Sequence, residues 1–388
     1  MTRPTAEQLE IQALARDFAD GELAPHAAAW DEARSLGDDV FGKLSELGFL
    51  GMLVPEEHGG LGFDVTTYLL VLEELSRGDA AVGLSVAIHC GPVTGLVLRH
   101  GTDAQKAHWL PRLASGEALG AFALSEAEAG SDAASLTAEA RLDGDTWVLA
   151  GEKRWVTNGR RAGLVVTFAR TPEGVGAFLV EPDTAGYAVG SAEVTLGLRA
   201  SETVSVTLDD LRLPTSGLLG SPAEGMTYAL QALDVGRVGI AAQAVGIGRC
   251  AMEHAVAYAL ERQQFGKALA DFGATRAKVA EMHRRIAGAR TLAHHAGEAL
   301  QGYLGGTHPR TGADGATALA AAAKLAASEA ATWVADEAVQ IFGGYGYMRD
   351  YPVEKLLRDA KGTEIYEGTN EIMRHVIARE VFREARDG

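Results

Sequence analysis

The sequence predicts an α+β protein of three successive domains, with helices first, β-strands in the middle and helices again at the end. Apolar residues recur at helical spacing up to about residue 119. Short β-rich runs separated by turn residues follow, up to about residue 214. Helical spacing then returns and continues almost to the end. We therefore expect a helical domain at 1–119, a β domain at 120–221 and a helical bundle at 222–388.

Three apolar stripes predict the helices of the first domain. A loop interrupts them at Pro55 and the glycine-rich segment 59–62, because proline and glycine disfavour a continuous helix. The stripes consist of Leu9, Leu14 and Phe18, then Phe41, Leu44, Leu47 and Leu50, and finally the run from Tyr68 to Leu75.

Four runs rich in β-branched, aliphatic and aromatic residues predict the strands of the middle domain. Gly144, Asn158-Gly159 and Pro172-Glu173-Gly174 separate them as turns, so an antiparallel arrangement is expected. The runs are 146–149, 164–168, 177–180 and 204–208.

Long helices are predicted in the last domain. The segment from Met226 to about Arg262 contains no proline and would be roughly 55 Å long at about 1.5 Å per residue. Its many glycines and alanines weaken an isolated helix, so close helix packing or the approach of a cofactor is expected there. A second helix should run from about Ala316 to Ile341 and end at Gly343-Gly344, where glycine suits a C-cap.

Composition excludes several classes of protein. A formal net charge of −17 disfavours a nucleic-acid partner, although a local basic pocket could hold one anionic cofactor. Cys90 and Cys250 lack the spacing of a disulfide framework or of a cysteine-based zinc site, so no metal is expected and both should be buried thiols. The first residues contain no signal-peptide or lipid-anchor pattern, and the most apolar long stretch, 316–335, is too weakly hydrophobic to insert into a membrane. We expect a cytoplasmic protein.

The most informative segment is Ile365-Tyr366-Glu367-Gly368-Thr369-Asn370-Glu371-Ile372. It places Glu367 between an aromatic ring and a glycine, where burial can raise the pKa of a carboxyl group and the backbone can approach a ligand. Glu367 is therefore a candidate general base. The alternative is a solvated turn residue beside a flexible glycine.

Three further segments contain residue types that suit a flavin or a thioester. Each segment also has a purely structural interpretation. The first could be a polar loop, the second a strand with a core aromatic residue, and the third an exposed ion pair between Asp234 and Arg237. The segments are Phe122 to Asp132, Lys153 to Gly159, and Asp234 to Arg237 together with Glu261 to Gly266.

These four segments, in their order along the chain, resemble the motifs of the acyl-CoA dehydrogenase family. The resemblance covers essentially the whole chain. The resemblance implies that family's fold, with a four-helix bundle at the C-terminus. It also implies FAD-dependent α,β-dehydrogenation of an acyl-CoA to a trans-2-enoyl-CoA. Glu367 would abstract the α-proton, hydride would pass to flavin N5, and the backbone N–H of Glu367 with a ribityl hydroxyl would hold the thioester oxygen.

The resemblance also implies roles for individual residues. Arg262 to Phe265 and Gln340 to Gly344 would reach the FAD of a neighbouring subunit. The substrate residues would be Ser131, Ser201, Asp234, Arg237, Tyr366 and Gly368. The FAD residues would be Phe122, Ala123, Leu124, Ser125, Gly130, Ser131, Trp155, Val156, Thr157, Arg262, Gln264, Phe265, Phe272, Gln340, Phe342, Gly343, Gly344, Thr369, Asn370 and Glu371.

The expected partners are an acyl-CoA substrate, an electron-transfer flavoprotein or similar acceptor, and further copies of the chain in a homotetramer.

Some relatives carry the catalytic glutamate on the long helix, where this chain has Gly236, which favours Glu367 as the base. Departures from the family pattern occur at Ala127-Glu128, Gly273 and Gly362. The alternatives are a carrier-protein thioester as substrate, a flavin-dependent oxidase or monooxygenase, and a nucleic-acid-associated relative.

Overall fold

The structure is a computed structural model that describes residues 3–387, in the predicted order of helices, strands and helices. Capping boxes begin two of the first helices, at Thr5 with Gln8 and at Thr102 with Gln105, as expected where Ser or Thr precedes Gln by three residues. The first seven helices are α1 (Ala6–Phe18), α2 (Ala27–Ala33), α3 (Val40–Glu46), α4 (Val65–Gly78), α5 (Ala80–Ile88), α6 (Thr94–His100) and α7 (Asp103–Ala114).

The middle of the chain forms one sheet, and all four predicted β-rich runs lie in its strands. The strands are β1 (Leu119–Ala123), β2 (Glu139–Asp143), β3 (Thr146–Val156), β4 (Ala162–Thr171), β5 (Gly174–Val180), β6 (Tyr187–Ala192), β7 (Val204–Pro214) and β8 (Leu218–Leu219). Their order is β6-β7-β3-β2-β4-β5-β8, and β1 pairs with β4.

The prediction of an antiparallel domain holds for most of the sheet but is wrong for two pairs, because β4 pairs in parallel with both β1 and β2. Strand β1 pairs with β4 in parallel, with Ala121 opposite Val165 and Phe122 opposite Val166. Both strands are buried, as is usual for parallel pairs. Strand β1 thus pairs with a strand that is distant from it in the chain, which a pattern of local turns cannot indicate.

The last part of the chain contains the predicted long helices. They are α8 (Gly225–Glu261), α9 (Gly273–Leu304), α10 (Ala316–Phe342), α11 (Val353–Thr363) and α12 (Asn370–Asp387). A two-stranded hairpin, β9 (Gln263–Gln264) with β10 (Lys267–Ala268), follows α8. Helix α10 ends at Gly343 with φ 62°, which confirms the predicted glycine C-cap.

Helix α1 corrects the first predicted stripe. Leu9 and Leu14 are 50% and 47% exposed, whereas the buried residue of this helix is Ala15. Phe18 of the stripe packs against the core together with Ile11, and Gln12 and Arg16 both donate to Glu74 on α4. Apolar spacing therefore identified the helix but only part of the face that packs.

The most apolar helical segment is also not the predicted one. Among the described residues, the segment long and apolar enough to cross a membrane is Ala80–His100, which has a mean hydropathy of 1.7. It comprises α5, a π-helical turn at His89–Val93 and α6. Because 89% of its apolar window is buried inside the protein, the segment has the character of a core helix.

Both cysteines are free thiols, but only one is fully buried. Cys90 lies in the core, whereas Cys250 is half-buried, so the expectation of two buried thiols holds for Cys90 alone. Burial raises the pKa of both thiols, to about 12 for Cys250.

Two adjacent glutamates join the first helices to the last ones. Glu73 and Glu74 of α4 are both fully buried. Glu73 accepts hydrogen bonds from Arg290 and His294 of α9, and Glu74 accepts one from Arg249 of α8. Burial opposes ionisation of Glu74, but its arginine partners outweigh burial and lower its pKa to about 2. Since an unpaired buried charge is costly, this network fixes α4 against α8 and α9.

Glycines let α8 approach its neighbours closely. A Cβ atom at Gly246 would overlap the Glu73 carbonyl oxygen and lie 2.9 Å from Ser76 Cβ on α4. A Cβ atom at Gly239 would lie 2.9 Å from the Tyr68 hydroxyl on the same helix. The expected close packing of this helix is therefore confirmed.

We predict that Gly246→Ala lowers the free energy of unfolding by about 1–3 kcal/mol, because the added methyl group meets backbone atoms that cannot move aside. Gly288→Ala on α9 is the matched control, since a Cβ atom there meets nothing within 4 Å. The control should raise stability by up to about 1 kcal/mol through helix propensity. Urea denaturation of both variants measures the difference, and equal effects would contradict the packing argument.

Candidate active site

A cavity of about 850 Å³ lies where the first helices, the sheet and the C-terminal helices meet. It brings together thirteen of the residues singled out from the sequence, although they come from four separate segments. These are Phe122, Leu124, Ser125, Gly130, Ser131, Trp155, Thr157, Asp234, Arg237, Tyr366, Glu367, Gly368 and Thr369.

Glu367 lies between α11 and α12, in a loop that faces this cavity. Its φ of 56° is in the left-handed region, and Gly368 follows with φ 94°. The residue is half-buried, but its Oε2 atom is inaccessible and has no hydrogen-bond partner. Burial raises the pKa of this carboxyl group to about 7, against the opposing charges of Arg237 and Lys324. A backbone strained at a reactive group is typical of functional sites.

Gly236 on α8 makes room for this carboxyl group. A Cβ atom at Gly236 would lie 2.6 Å from the Glu367 carboxyl carbon, which is closer than nonbonded atoms can approach. The carboxyl group therefore packs directly against the helix backbone. Any side chain at position 236 would displace Glu367 from its present position.

The pair Asp234 and Arg237 is buried, which corrects the alternative of an exposed ion pair. The two residues are 1% and 5% exposed, and Arg237 Nη1 donates to Asp234 Oδ1 at 3.0 Å. Arg310 and Thr317 donate to the second oxygen of Asp234, at 3.1 and 2.7 Å. Arg237 Nε also donates to the Glu367 carbonyl at 3.3 Å, so the pair holds the loop as well as contributing charge.

Lys324 of α10 is a residue that the sequence analysis missed as part of the site. It has no exposed surface, and its Nζ donates to the Gly368 carbonyl at 2.8 Å and to Asn370 Oδ1 at 2.9 Å. Ser328 donates to the same Asn370 oxygen at 3.0 Å. The available signal was a lysine inside an alanine-rich helix, since buried lysines are rare without a specific partner.

The loop of Ser125 to Ser131 is fixed by a buried glutamate. Glu126 accepts hydrogen bonds from Lys153 Nζ at 2.7 Å and from two backbone N–H groups, and these partners outweigh burial and lower its pKa to about 2. Glu126 and Ala129 exchange backbone hydrogen bonds, so Ala127 and Glu128 occupy a two-residue turn. The departure from the family pattern thus lies at the tip of a well-anchored turn.

The predicted alternation around Trp155 is present. Trp155 and Thr157 line the cavity, while Val156 points into the core of the sheet. Trp155 is 54% exposed and has φ 57°. The following turn is held by Asn158, whose Nδ2 donates to the Ser85 and Gly120 carbonyls at 3.0 Å. This arrangement leaves an indole and a hydroxyl group at the cavity wall.

Some of the remaining predicted residues lie near the cavity without lining it. Ala123 is buried in the sheet, and Asn370 is buried in the Lys324 network. Glu371 is exposed at the start of α12. Ser201 is buried beside Thr203, whose hydroxyl lies 3.2 Å away, so the structure does not bring Ser201 to this cavity.

The other predicted FAD residues belong to the C-terminal part of the chain, apart from the cavity, and most of them are exposed. Phe265 is 94% exposed at the tip of the β9-β10 hairpin, with φ 52°. Phe342 is buried and stacks on Tyr258, with ring centroids 4.0 Å apart. The rest of this set is Arg262, Gln264, Phe272, Gln340, Gly343 and Gly344.

The chain is similar to known proteins over almost its whole length. It matches family models described as the N-terminal, middle and C-terminal domains of acyl-CoA dehydrogenase, over residues 5–117, 121–211 and 223–382. It is 43% identical to an acyl-CoA dehydrogenase of Bacillus subtilis (strain 168), covering 97% of this chain and 98% of the relative. It is 42% identical to the mitochondrial short-chain specific acyl-CoA dehydrogenase of Bos taurus, covering 99% and 92%.

Solved structures give the same result. Butyryl-CoA dehydrogenase from Megasphaera elsdenii superposes with a TM-score of 0.93 at 37% identity, covering 98% of this chain and 99% of that one. A glutaryl-CoA dehydrogenase from Mycobacterium smegmatis in complex with FADH2 superposes with a TM-score of 0.90 at 32% identity, covering 97% and 94%.

We predict that Glu367→Gln stabilises the protein above pH 7 relative to pH 5. Folding raises the pKa of the Glu367 carboxyl group from 4.5 to about 7. The folded protein therefore loses stability as the pH increases through that window. The glutamine variant lacks this loss. Its free energy of unfolding relative to the wild type should therefore increase by on the order of 2–3 kcal/mol between pH 5 and pH 8. Chemical denaturation at pH 5 and pH 8 measures it. Glu371→Gln, at an exposed carboxylate nearby, should show no such gain, and a pH-independent effect of Glu367→Gln would contradict the raised pKa.

Proposed function

The chain belongs to the acyl-CoA dehydrogenase family, and from that premise we propose that it oxidises a short-chain acyl-CoA to the trans-2-enoyl-CoA with Glu367 as the base. The family's reaction is FAD-dependent dehydrogenation of an acyl-CoA. The assignment of Glu367 rests on one observation, a desolvated carboxyl group with an unpaired oxygen in a cavity of suitable size. The short chain is supported by the short-chain specificity named for the Bos taurus relative.

The residues of the cavity fit FAD. Trp155 offers an exposed indole face, Thr157 a hydroxyl group, and Arg154 a buried Nε that has no protein acceptor. Ser125 and Gly130 add a hydroxyl group and backbone that a ligand can approach, since a Cβ atom at Gly130 would meet nothing within 4 Å. These residues would hold the flavin. When bound, FAD supplies the acceptor that takes the β-hydrogen as hydride.

Proton abstraction falls to Glu367. Its pKa of about 7 suits a general base near neutral pH, because such a group is substantially ionised yet still basic enough to take a proton. The α-proton moves to the Glu367 carboxylate, and negative charge develops on the thioester oxygen. Among the described residues, the backbone N–H of Glu367 donates to no protein acceptor, so it is free to stabilise that oxygen.

Residues in and around the loop set the position and charge of the base. Arg237 binds the Glu367 carbonyl and opposes the effect of burial on the carboxyl group. Tyr366 donates to Gln243 Oε1 at 2.9 Å, and Gln243 in turn donates to the Ala80 carbonyl at 2.8 Å, which ties the loop to α8 and α5. The base is therefore held from both sides while its carboxylate faces the cavity.

The similarity to acyl-CoA dehydrogenases does not favour a carrier-protein thioester, an oxidase or monooxygenase, or a nucleic-acid-associated role. We propose an electron-transfer flavoprotein as the electron acceptor and the cytoplasm as the compartment. A homotetramer is proposed because Arg262, Gln264 and Phe265 are exposed on the outside of one chain. In the family, such residues would complete the FAD site of a neighbouring subunit.

We predict that Glu367→Gln retains FAD and binds butyryl-CoA, but that anaerobic bleaching of the flavin by this substrate slows at least about 10³-fold, since removal of the base blocks proton abstraction. Stopped-flow absorbance measures the rate. A near-normal rate would show that another group is the base, and Asp234 would be tested next. An acyl group on a carrier protein, compared at the same concentration, should reduce the wild-type flavin more slowly.

We predict that Arg262→Ala releases FAD more readily than the wild type, by roughly ten-fold in dissociation constant if one charge-assisted contact is lost. Arg276→Ala is the matched control, because Arg276 is also exposed and pairs only with groups of the adjoining turn. Flavin fluorescence measures FAD release, and light scattering measures the mass of the assembly. A wild-type monomer with full flavin content would contradict the contribution from a second subunit.

A further inference from the structure

Lys324 is a buried charge that the proposed chemistry does not yet use. It lies in the middle of α10, among alanines, and has no exposed surface. Burying an ammonium group is unfavourable unless hydrogen bonds and nearby charge compensate. A methionine or leucine would fill the same volume without that cost. The presence of a lysine at this position therefore calls for a specific role.

The direct partners of Lys324 are neutral. Its Nζ donates to the Gly368 carbonyl and to the Asn370 side-chain oxygen, at 2.8 and 2.9 Å. Among the described residues, no carboxylate oxygen lies within 4.0 Å of this Nζ, so the ammonium has hydrogen bonds but no ion pair. Burial lowers its pKa to about 8, and the charge of Glu367 opposes this change. The positive charge of Lys324 thus acts on Glu367 through space.

The hydrogen bonds of Lys324 fall on the strained part of the loop. Glu367 and Gly368 have consecutive positive φ angles, of 56° and 94°. Arg237 donates to the carbonyl of the first residue and Lys324 to the carbonyl of the second. Two cations, one from α8 and one from α10, therefore fix two successive peptide planes beside the carboxyl group.

We propose that Lys324 is a positioning residue for the base, which holds the Gly368 carbonyl in place and keeps the Glu367 carboxylate ionised when the substrate arrives. This inference rests on the proposed function of Glu367. The cation would act through the base and would not touch the substrate. Other charged or titratable groups face the pair from each neighbouring element: Arg237 from α8, Glu364 from the end of α11, Glu371 from α12, and Tyr68 and Tyr366.

A purely structural role would have different consequences. If Lys324 only tied α10 to the loop, its loss would lower stability and the rate of flavin reduction, but it would leave unchanged the pH at which reduction becomes efficient. If the charge acts on Glu367, its loss must raise that pH, since removing a nearby cation disfavours the carboxylate. The pH profile therefore distinguishes the two roles.

Two variants separate the charge from the hydrogen bond. Lys324→Gln keeps a neutral donor for the Gly368 carbonyl but removes the charge, and Lys324→Met removes both. Ser328→Ala is the matched control, because it deletes a hydrogen bond to the same Asn370 oxygen without changing any charge. All are prepared as FAD-loaded protein, with flavin content and melting temperature measured first.

The second-order rate constant of anaerobic flavin reduction by butyryl-CoA is then measured from pH 5.5 to pH 9, since at low substrate it reports the free enzyme. The wild-type rate should rise through about pH 7. For Lys324→Gln and Lys324→Met the midpoint should move up by about 0.5–1 pH unit. Ser328→Ala should keep the wild-type midpoint. Reduction at saturating substrate and high pH should remain closer to wild type in the glutamine variant than in the methionine variant.

Each outcome is decisive. An unchanged midpoint in Lys324→Gln, whatever its rate, would overturn the proposed role of the charge. If Lys324→Met does not fold, the glutamine variant alone decides. A wild-type protein that butyryl-CoA does not reduce at any pH would instead contradict the proposed function, which is a separate result.

Discussion

The structure depends on the contact between the Glu367 carboxyl group and the backbone of α8 at Gly236. This contact removes water from one carboxyl oxygen and leaves that oxygen without a hydrogen bond. Desolvation alone would keep the group protonated, whereas the buried charges of Arg237 and Lys324 favour the carboxylate. The balance places the pKa at about 7, so the group can exist in either form near neutral pH.

This contact requires the rest of the fold to be rigid. The backbone at Glu367 is held in a left-handed conformation, which for a residue with a side chain costs of order 1–3 kcal/mol. Arg237 of α8 and Lys324 of α10 stabilise that conformation by binding the loop carbonyls. These helices are fixed in turn by the close approach at Gly246 and by the Glu73 and Glu74 network, which joins α4 to α8 and α9. The buried charges far from the cavity therefore maintain the geometry within it.

The residues proposed to act in function fall into two groups. One group lines a cavity inside a single chain and includes Trp155, Arg237 and Glu367. The other belongs to the C-terminal part of the chain, outside the cavity, where Phe265 is 94% exposed. Large exposed aromatic side chains are unusual in an isolated soluble chain and are typical of interfaces. The second group is consistent with the proposed assembly, in which one subunit would complete the cofactor site of another.

The sequence by itself determined the order of helices and strands, the extent of α8 and α10, and the loop that carries Glu367. These features are encoded locally, in apolar spacing and in the positions of glycine and proline. Only the tertiary structure decided that Leu9 and Leu14 are exposed, that β1 pairs in parallel, that Lys324 binds the Gly368 carbonyl, and that Gly236 accommodates the carboxyl group. Each of these depends on segments far apart in the chain. An apolar stripe indicates that a helix has a face to bury, but what covers that face, and which buried charges come together, is set by packing between helices.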